Sequence, residues 1–221
     1  MVPNDSFGGR SREPIRRLYR LSFVKNSHRL LALAHQRLDA SSLRSQQEPA
    51  ITGMLVDRVK ALVESEHAPR WARHMIALDD PPQASAERLG RARRRVDIEF
   101  CLVQRGPRPR LHFEAKRLYR SDSVREYLGP EGLELFVRGE YAAGQHAGGM
   151  LGYVQSDSPQ QWSERIMQGM AAARERLAIC EGTAFEVVAL IAELDSVHLT
   201  CHDRQSVGRP IHIYHTLLRC C

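Results

Sequence analysis

The chain has 221 residues, 43% of them hydrophobic and 26% charged, which excludes a disordered or fibrous polypeptide and suits one globular domain with a core of its own. Its formal charge of +6 leans towards a polyanionic partner, although an Arg-rich composition alone has the same effect. No apolar run approaches the roughly 18 residues of a membrane span and the N-terminus lacks the apolar centre of a signal peptide, so a cytoplasmic protein is expected.

Residues 1–14 are polar, contain Gly8-Gly9, and are expected to be disordered, leaving 15–221 as a single domain. From Ile15 to about Leu38 the spacing of Leu18, Leu21, Leu30, Leu31 and Leu38 predicts helix, with an interruption near Asn26-Ser27. Residues 48–66 give a clearer amphipathic pattern, with Ile51, Met54, Leu55, Val59, Leu62 and Val63 recurring at steps of three and four. Pro49 fits the first helical position and puts Glu48 at or beside the cap, where the helix dipole favours a carboxylate. Glu48 is therefore either a dipole-stabilising surface residue or a functional acid.

Asp79-Asp80-Pro81-Pro82 reads as a turn, and RLGRARRR over 88–95 as a basic run, either solvated or in contact with phosphates. Strands are expected over Val96–Val103 and Leu111–Leu118, joined by a turn at Gly106-Pro107-Arg108-Pro109 into a β-hairpin. A helix near 131–142 and the Gly-rich apolar segment 146–154 follow. Then come an amphipathic helix over 160–178, a strand over 185–194, and a strand pair over 198–204 and 210–218. Helices, a hairpin, more helices and more strands predict an α/β or α+β sheet flanked by helices. Five cysteines, two of them adjacent at the end, make no disulfide framework, and neither Cys201-His202 nor Cys220-Cys221 has zinc-site spacing.

The hairpin carries the chemistry. Strand alternation puts Asp97 and Glu99 on one face of the first strand, and His112, Glu114 and Lys116 on one face of the second. Burying the apolar faces together gathers three acids and a lysine on the other side. Of 32 basic residues only Lys25, Lys60 and Lys116 are lysines, so a Lys at this place suggests a need for a compact ammonium rather than a broad guanidinium. Crowded carboxylates call for a cation, and carboxylate oxygens with room for waters suit Mg²⁺. The bland reading of Glu114 and Lys116 is a cross-strand ion pair on a solvated face. His112 reads as a polar neighbour, His215 as a hydrogen-bonded core histidine, and Gln145 as a weak candidate for substrate contact.

A strand bearing Asp97, a turn, and a strand ending Glu114-Ala115-Lys116 resemble the PD-(D/E)xK nuclease superfamily, with Val96 where that name has Pro. The resemblance spans roughly residues 40–218 but rests on four residues. It implies an α/β, restriction-endonuclease-like fold, a mixed central sheet flanked by helices. It also implies a catalytic set of Asp97, Glu114, Lys116 and Glu48. The metal ligands implied are Asp97, Glu114, Glu48 and the Ala115 backbone carbonyl, with Glu99 the weaker rival of Asp97. The cofactor would be Mg²⁺, with Mn²⁺ able to substitute. Arg93, Arg94, Arg95, Arg117 and Arg120 would contact phosphates. The implied function is an endonuclease acting on DNA, duplex above all, as a homodimer, in restriction, defence against foreign DNA or repair. The alternative is a catalytically inactive nucleic-acid-binding or assembly module on the same fold. No P-loop, dinucleotide loop or nucleophile elbow competes with this reading.

Overall fold

A computed structural model describes residues 12–83, 93–104 and 108–221. Most of the N-terminal segment 1–14, most of the basic run, and Gly106-Pro107 of the turn lie outside the described residues. Seven strands form one mixed sheet in the order β1-β2-β3-β4-β7-β6-β5. The strands are β1 (Met75–Asp79), β2 (Ile98–Leu102), β3 (Arg110–Leu118), β4 (Ala147–Val154), β5 (Glu186–Val188), β6 (Val197–His202) and β7 (Ile211–Arg219). β1, β2 and β3 form an antiparallel meander; β3, β4 and β7 run parallel; β6 and β5 return antiparallel.

Helices cover both faces. On one side α1 (Arg12–His35) and α3 (Glu48–Glu64) bury Leu30, Leu31, Ile51, Leu55 and Val59 against Ile98, Phe100, Phe113, Ala115, Leu151 and Tyr153. On the other, α4 (Ser123–Leu128), α5 (Leu133–Val137) and α6 (Pro159–Ala172) pack Tyr127, Phe136, Trp162 and Ile166 against Leu118, Met150, Val154, Ile211 and Ile213. The split follows strand parity: in β4, residues 151 and 153 face one way and 150 and 154 the other. Gly149 belongs to that strand because the Phe113 ring lies on its backbone, where a Cβ would come within 2.2 Å of the ring.

Several expectations are corrected. α1 is continuous through Asn26-Ser27, because Ser27 Oγ and His28 Nδ1 hydrogen-bond the carbonyls of Phe23 and Val24 one turn back and so remain satisfied while buried. Gln47 is the cap of α3, which moves Glu48 and Pro49 one step into the helix. The helix expected over 131–142 is only five residues long and ends before Gly139, whose φ is +74°. α6 stops at Ala172, and the strand expected over 185–194 shrinks to three residues. Strand β1 and helices α2 (Ala40–Leu43) and α4 were not foreseen.

Candidate functional site

The hairpin register places the site. The β2–β3 ladder runs from Cys101 opposite Arg110 to Ile98 opposite Phe113, and there it ends. Asp97 sits where the two strands part, and its Oδ2 accepts the otherwise open Ala115 N–H at 2.6 Å. Asp97, Glu114 and Lys116 therefore come together as strand parity requires. Glu48 joins them from the first turn of α3, which is fastened to the same end of the sheet. Thr52 and Tyr153 share a hydrogen bond of 2.9 Å, and buried Gln155 donates to the carbonyls of Leu43 and Gln46 at 2.7 and 2.9 Å. Arg117 completes the tie by donating to Gln155 and Gln47, both at 2.6 Å.

Lys116 is the hub. Its ammonium donates to Glu114 Oε1 at 2.6 Å and to Glu48 Oε1 at 3.3 Å, and its side chain is only 14% exposed. Glu114 Oε2 is buried without a hydrogen-bond partner. Burial first, then the nearby Asp97 charge, push the Glu114 carboxyl up to about 8 despite Lys116. Burial raises Asp97 and Glu48 as well, against the opposing pull of the Ala115 N–H and Lys116. For Lys116, burial works against the charge, but Glu114, Glu48 and Asp97 together outweigh it and hold the pKa above the ordinary lysine value. The group is thus short of positive charge at its acids, although one ammonium already serves two of them.

Among the described residues no three His, Cys, Asp or Glu side chains stand ready as a metal-ligand set. Lys116 holds one oxygen each of Glu114 and Glu48, while Asp97 and the second oxygen of Glu114 lie outside its hydrogen bonds and form the barer carboxylate pair. Two carboxylates are what Mg²⁺ ordinarily takes from a protein, the remaining positions going to waters and substrate oxygens. The unpartnered Glu114 oxygen and the raised acid pKa values fit a divalent cation at this pair. Glu99 is committed elsewhere, paired with Arg110 and with His112 Nε2 at 3.0 Å. That pairing fulfils the polar-neighbour reading of His112 and weakens Glu99 as a rival to Asp97.

The site opens onto a cleft of about 510 Å³ lined by Glu48, Lys116, Arg125, Glu126, Pro130 and Glu131. Arg125 projects here with its side chain 82% exposed, and no spacing in the sequence flags it. Nor does any spacing flag Tyr141, whose hydroxyl donates to the Arg95 carbonyl two residues before Asp97. Burial and the charges of Glu114 and Asp97 raise the Tyr141 pKa. Asp80, in a left-handed turn with φ of 48°, also adds its charge to Asp97. These three come from separate elements, so no local spacing could reveal them.

The arginines divide. Arg94 is paired with Glu131 and Glu140, and Arg95 with Asp80, so both fasten the segment leading into Asp97. Arg117 and Arg120 both lie over the half-exposed Tyr119 ring, 4.3 and 5.1 Å from its centre, just past Lys116. Gln145 lends its carbonyl to Arg204. His215 is the buried, hydrogen-bonded core histidine expected, held by Tyr127 and Thr200. No helix among the described residues is long and apolar enough to cross a membrane. No family model, curated protein or solved structure matches the chain.

Proposed function

We propose that the protein is a Mg²⁺-dependent nuclease that hydrolyses phosphodiester bonds in DNA, on a restriction-endonuclease-like fold. One observation carries the reading: Asp97, Glu114 and Lys116 converge where β2 and β3 part, beside a cleft. Asp97 and Glu114 would hold the cation, with the Ala115 carbonyl beside them and Glu48 steadying Lys116. Bound Mg²⁺ would supply Lewis-acid polarisation of a phosphoryl oxygen. Lys116 offers rotatable N–H donors on a short lever, suited to orienting a water or meeting charge that develops on the phosphate. Glu48 and Glu114 fix where that ammonium points before substrate arrives.

Arg117, Arg120 and Arg125 border the site and supply sequence-independent phosphate contacts. One site cuts one strand, so a homodimer belongs to this reading for duplex substrates, and a cytoplasmic location accords with it. The test is incubation of the purified chain with duplex DNA and Mg²⁺ or Mn²⁺. Cleavage that EDTA stops and Asp97→Ala abolishes is expected. Metal-dependent cleavage that survives Asp97→Ala would refute the site.

The inactive-module alternative has one observation in its favour, the ammonium of Lys116 being shared by two carboxylates as in a structural ion pair. It requires DNA binding without cleavage at any divalent-metal concentration.

A further inference from the structure

The segment following α6 runs alongside the end of β6. Ile179 bridges His202 in antiparallel sense, Cys180 N–H donates to the Cys201 carbonyl at 2.9 Å, and Asp203 N–H donates to the Ala178 carbonyl at 2.8 Å. In this register Cys180 stands directly opposite Cys201. Directly opposed residues of an antiparallel pair have Cα atoms about 4.5–5.5 Å apart. A disulfide spans roughly 4.4–6.8 Å between Cα atoms, so no backbone movement is called for. The two side chains share one side of the ribbon, as directly opposed residues of an antiparallel pair do. Both cysteines are half-exposed, which lets a small oxidant in. Arg174 steadies the segment by donating to the carbonyls of Cys180 and Thr183 at 3.0 and 3.1 Å.

The geometry points to Cys180 and Cys201 as a dithiol that closes to an intramolecular disulfide on exposure to a peroxide. Cys180 donates its S–H towards Asp203 Oδ1 at 3.6 Å, and burial and the neighbouring groups push its pKa up to about 12. With its S–H turned to Asp203, Cys180 is placed as the resolving thiol, and Cys201 is the one to meet the peroxide. Cys201 as thiolate takes one oxygen from hydrogen peroxide, becoming a sulfenic acid as the other oxygen leaves as water. Cys180 then attacks the sulfenic sulfur and loses its proton by way of the Asp203 carboxylate. The S–O bond breaks, and the hydroxide takes up a proton and departs as a second water. Two thiols are oxidised by two electrons in all, and one peroxide is reduced. The closed bond would pin the end of the α6 segment to β6, and a dithiol reductant would reopen it.

The experiment treats the folded full-length chain with hydrogen peroxide, quenches with a thiol-alkylating reagent, and maps peptides without reduction. The expected result is one crosslinked peptide pair joining Cys180 to Cys201, a loss of two hydrogen atoms in the intact mass, and reversal by dithiothreitol. Cys201→Ser should abolish the crosslink, while Asp203→Asn should slow closure without changing which cysteines join. Failure to lose the two hydrogens, or a bond that joins other cysteines, would overturn the inference. Treatment of the urea-unfolded chain is the control, because a bond specified by the fold should lose its preference there.

Discussion

At Glu114 the protein has built an unfavourable carboxylate and kept it. An acid whose pKa is higher folded than unfolded binds more protons in the folded state. Its contribution to stability is then fully present below the unfolded pKa and is lost as pH rises through the folded one. Glu114 moves from 4.5 to about 8, so the metal-free protein should lose stability across that window. Glu114→Gln should abolish this part of the pH dependence. By pH 8 the difference from wild type should reach the order of a few kcal/mol, read by urea unfolding at a series of pH values. Mg²⁺ should stabilise wild type most at pH 8 and leave Glu114→Gln unmoved, because a ligand that binds only the folded state raises its stability. Equal thermal shifts in both proteins would remove the carboxylate pair from cation binding.

The elements that carry the site are fixed by polar ties that sequence does not advertise. Gln155 uses its amide on the carbonyls of Leu43, at the end of α2, and Gln46, in the loop before α3, and on Arg117. Gln155→Ala should therefore cost about 1–3 kcal/mol in denaturant unfolding, because it leaves buried polar groups unpaired. It should also loosen Glu48 relative to Lys116. Arg204 is a buried cation that meets the carbonyls of Ala142, Gln145 and Arg209. Removing it with Arg204→Ala should destabilise by several kcal/mol, because three carbonyls lose a charged donor.

The same contrast governs what could be read in advance. β2 and β3 were legible because alternation is a property of a few consecutive residues, and their parity alone brought Asp97, Glu114 and Lys116 to one side. β1 has only the short run MIAL and is a strand because β2 pairs with it, which is tertiary information. α4 is set by burial against β3 and α6, and α5 by its Gly132 cap and by Phe136 lying on Gly148 of β4, rather than by long amphipathic stretches. Tyr141, Asp80 and Arg125 reach the site from three distant segments, and only the folded chain gathers them.

Across the whole molecule the excess of six positive charges is not an unpaired surface, because most described arginines near the site are engaged with acids. Arg125 at the mouth of the cleft is the better probe of polyanion binding, with Asp122 at 3.7 Å its one ion-pair partner among the described residues. Arg125→Ala should leave thermal stability unchanged and weaken DNA binding across sequences. It should also lower the slope of log affinity against log salt by about one. An unaltered slope would take the strand away from this cleft.

The most direct measurement is the rate of Mg²⁺-dependent DNA cleavage by Lys116→Arg beside wild type. Arginine retains the charge, and it serves at almost every other basic position of this chain. A structural ion pair with Glu114 and Glu48 would accept it. An ammonium that orients a water or meets charge on the phosphate would not. The expected result is metal-dependent cleavage by wild type and a loss of about 100-fold or more in the variant, with folding and DNA binding retained. Wild-type rates in Lys116→Arg, or no metal-dependent cleavage by either protein, would contradict the nuclease reading of this site.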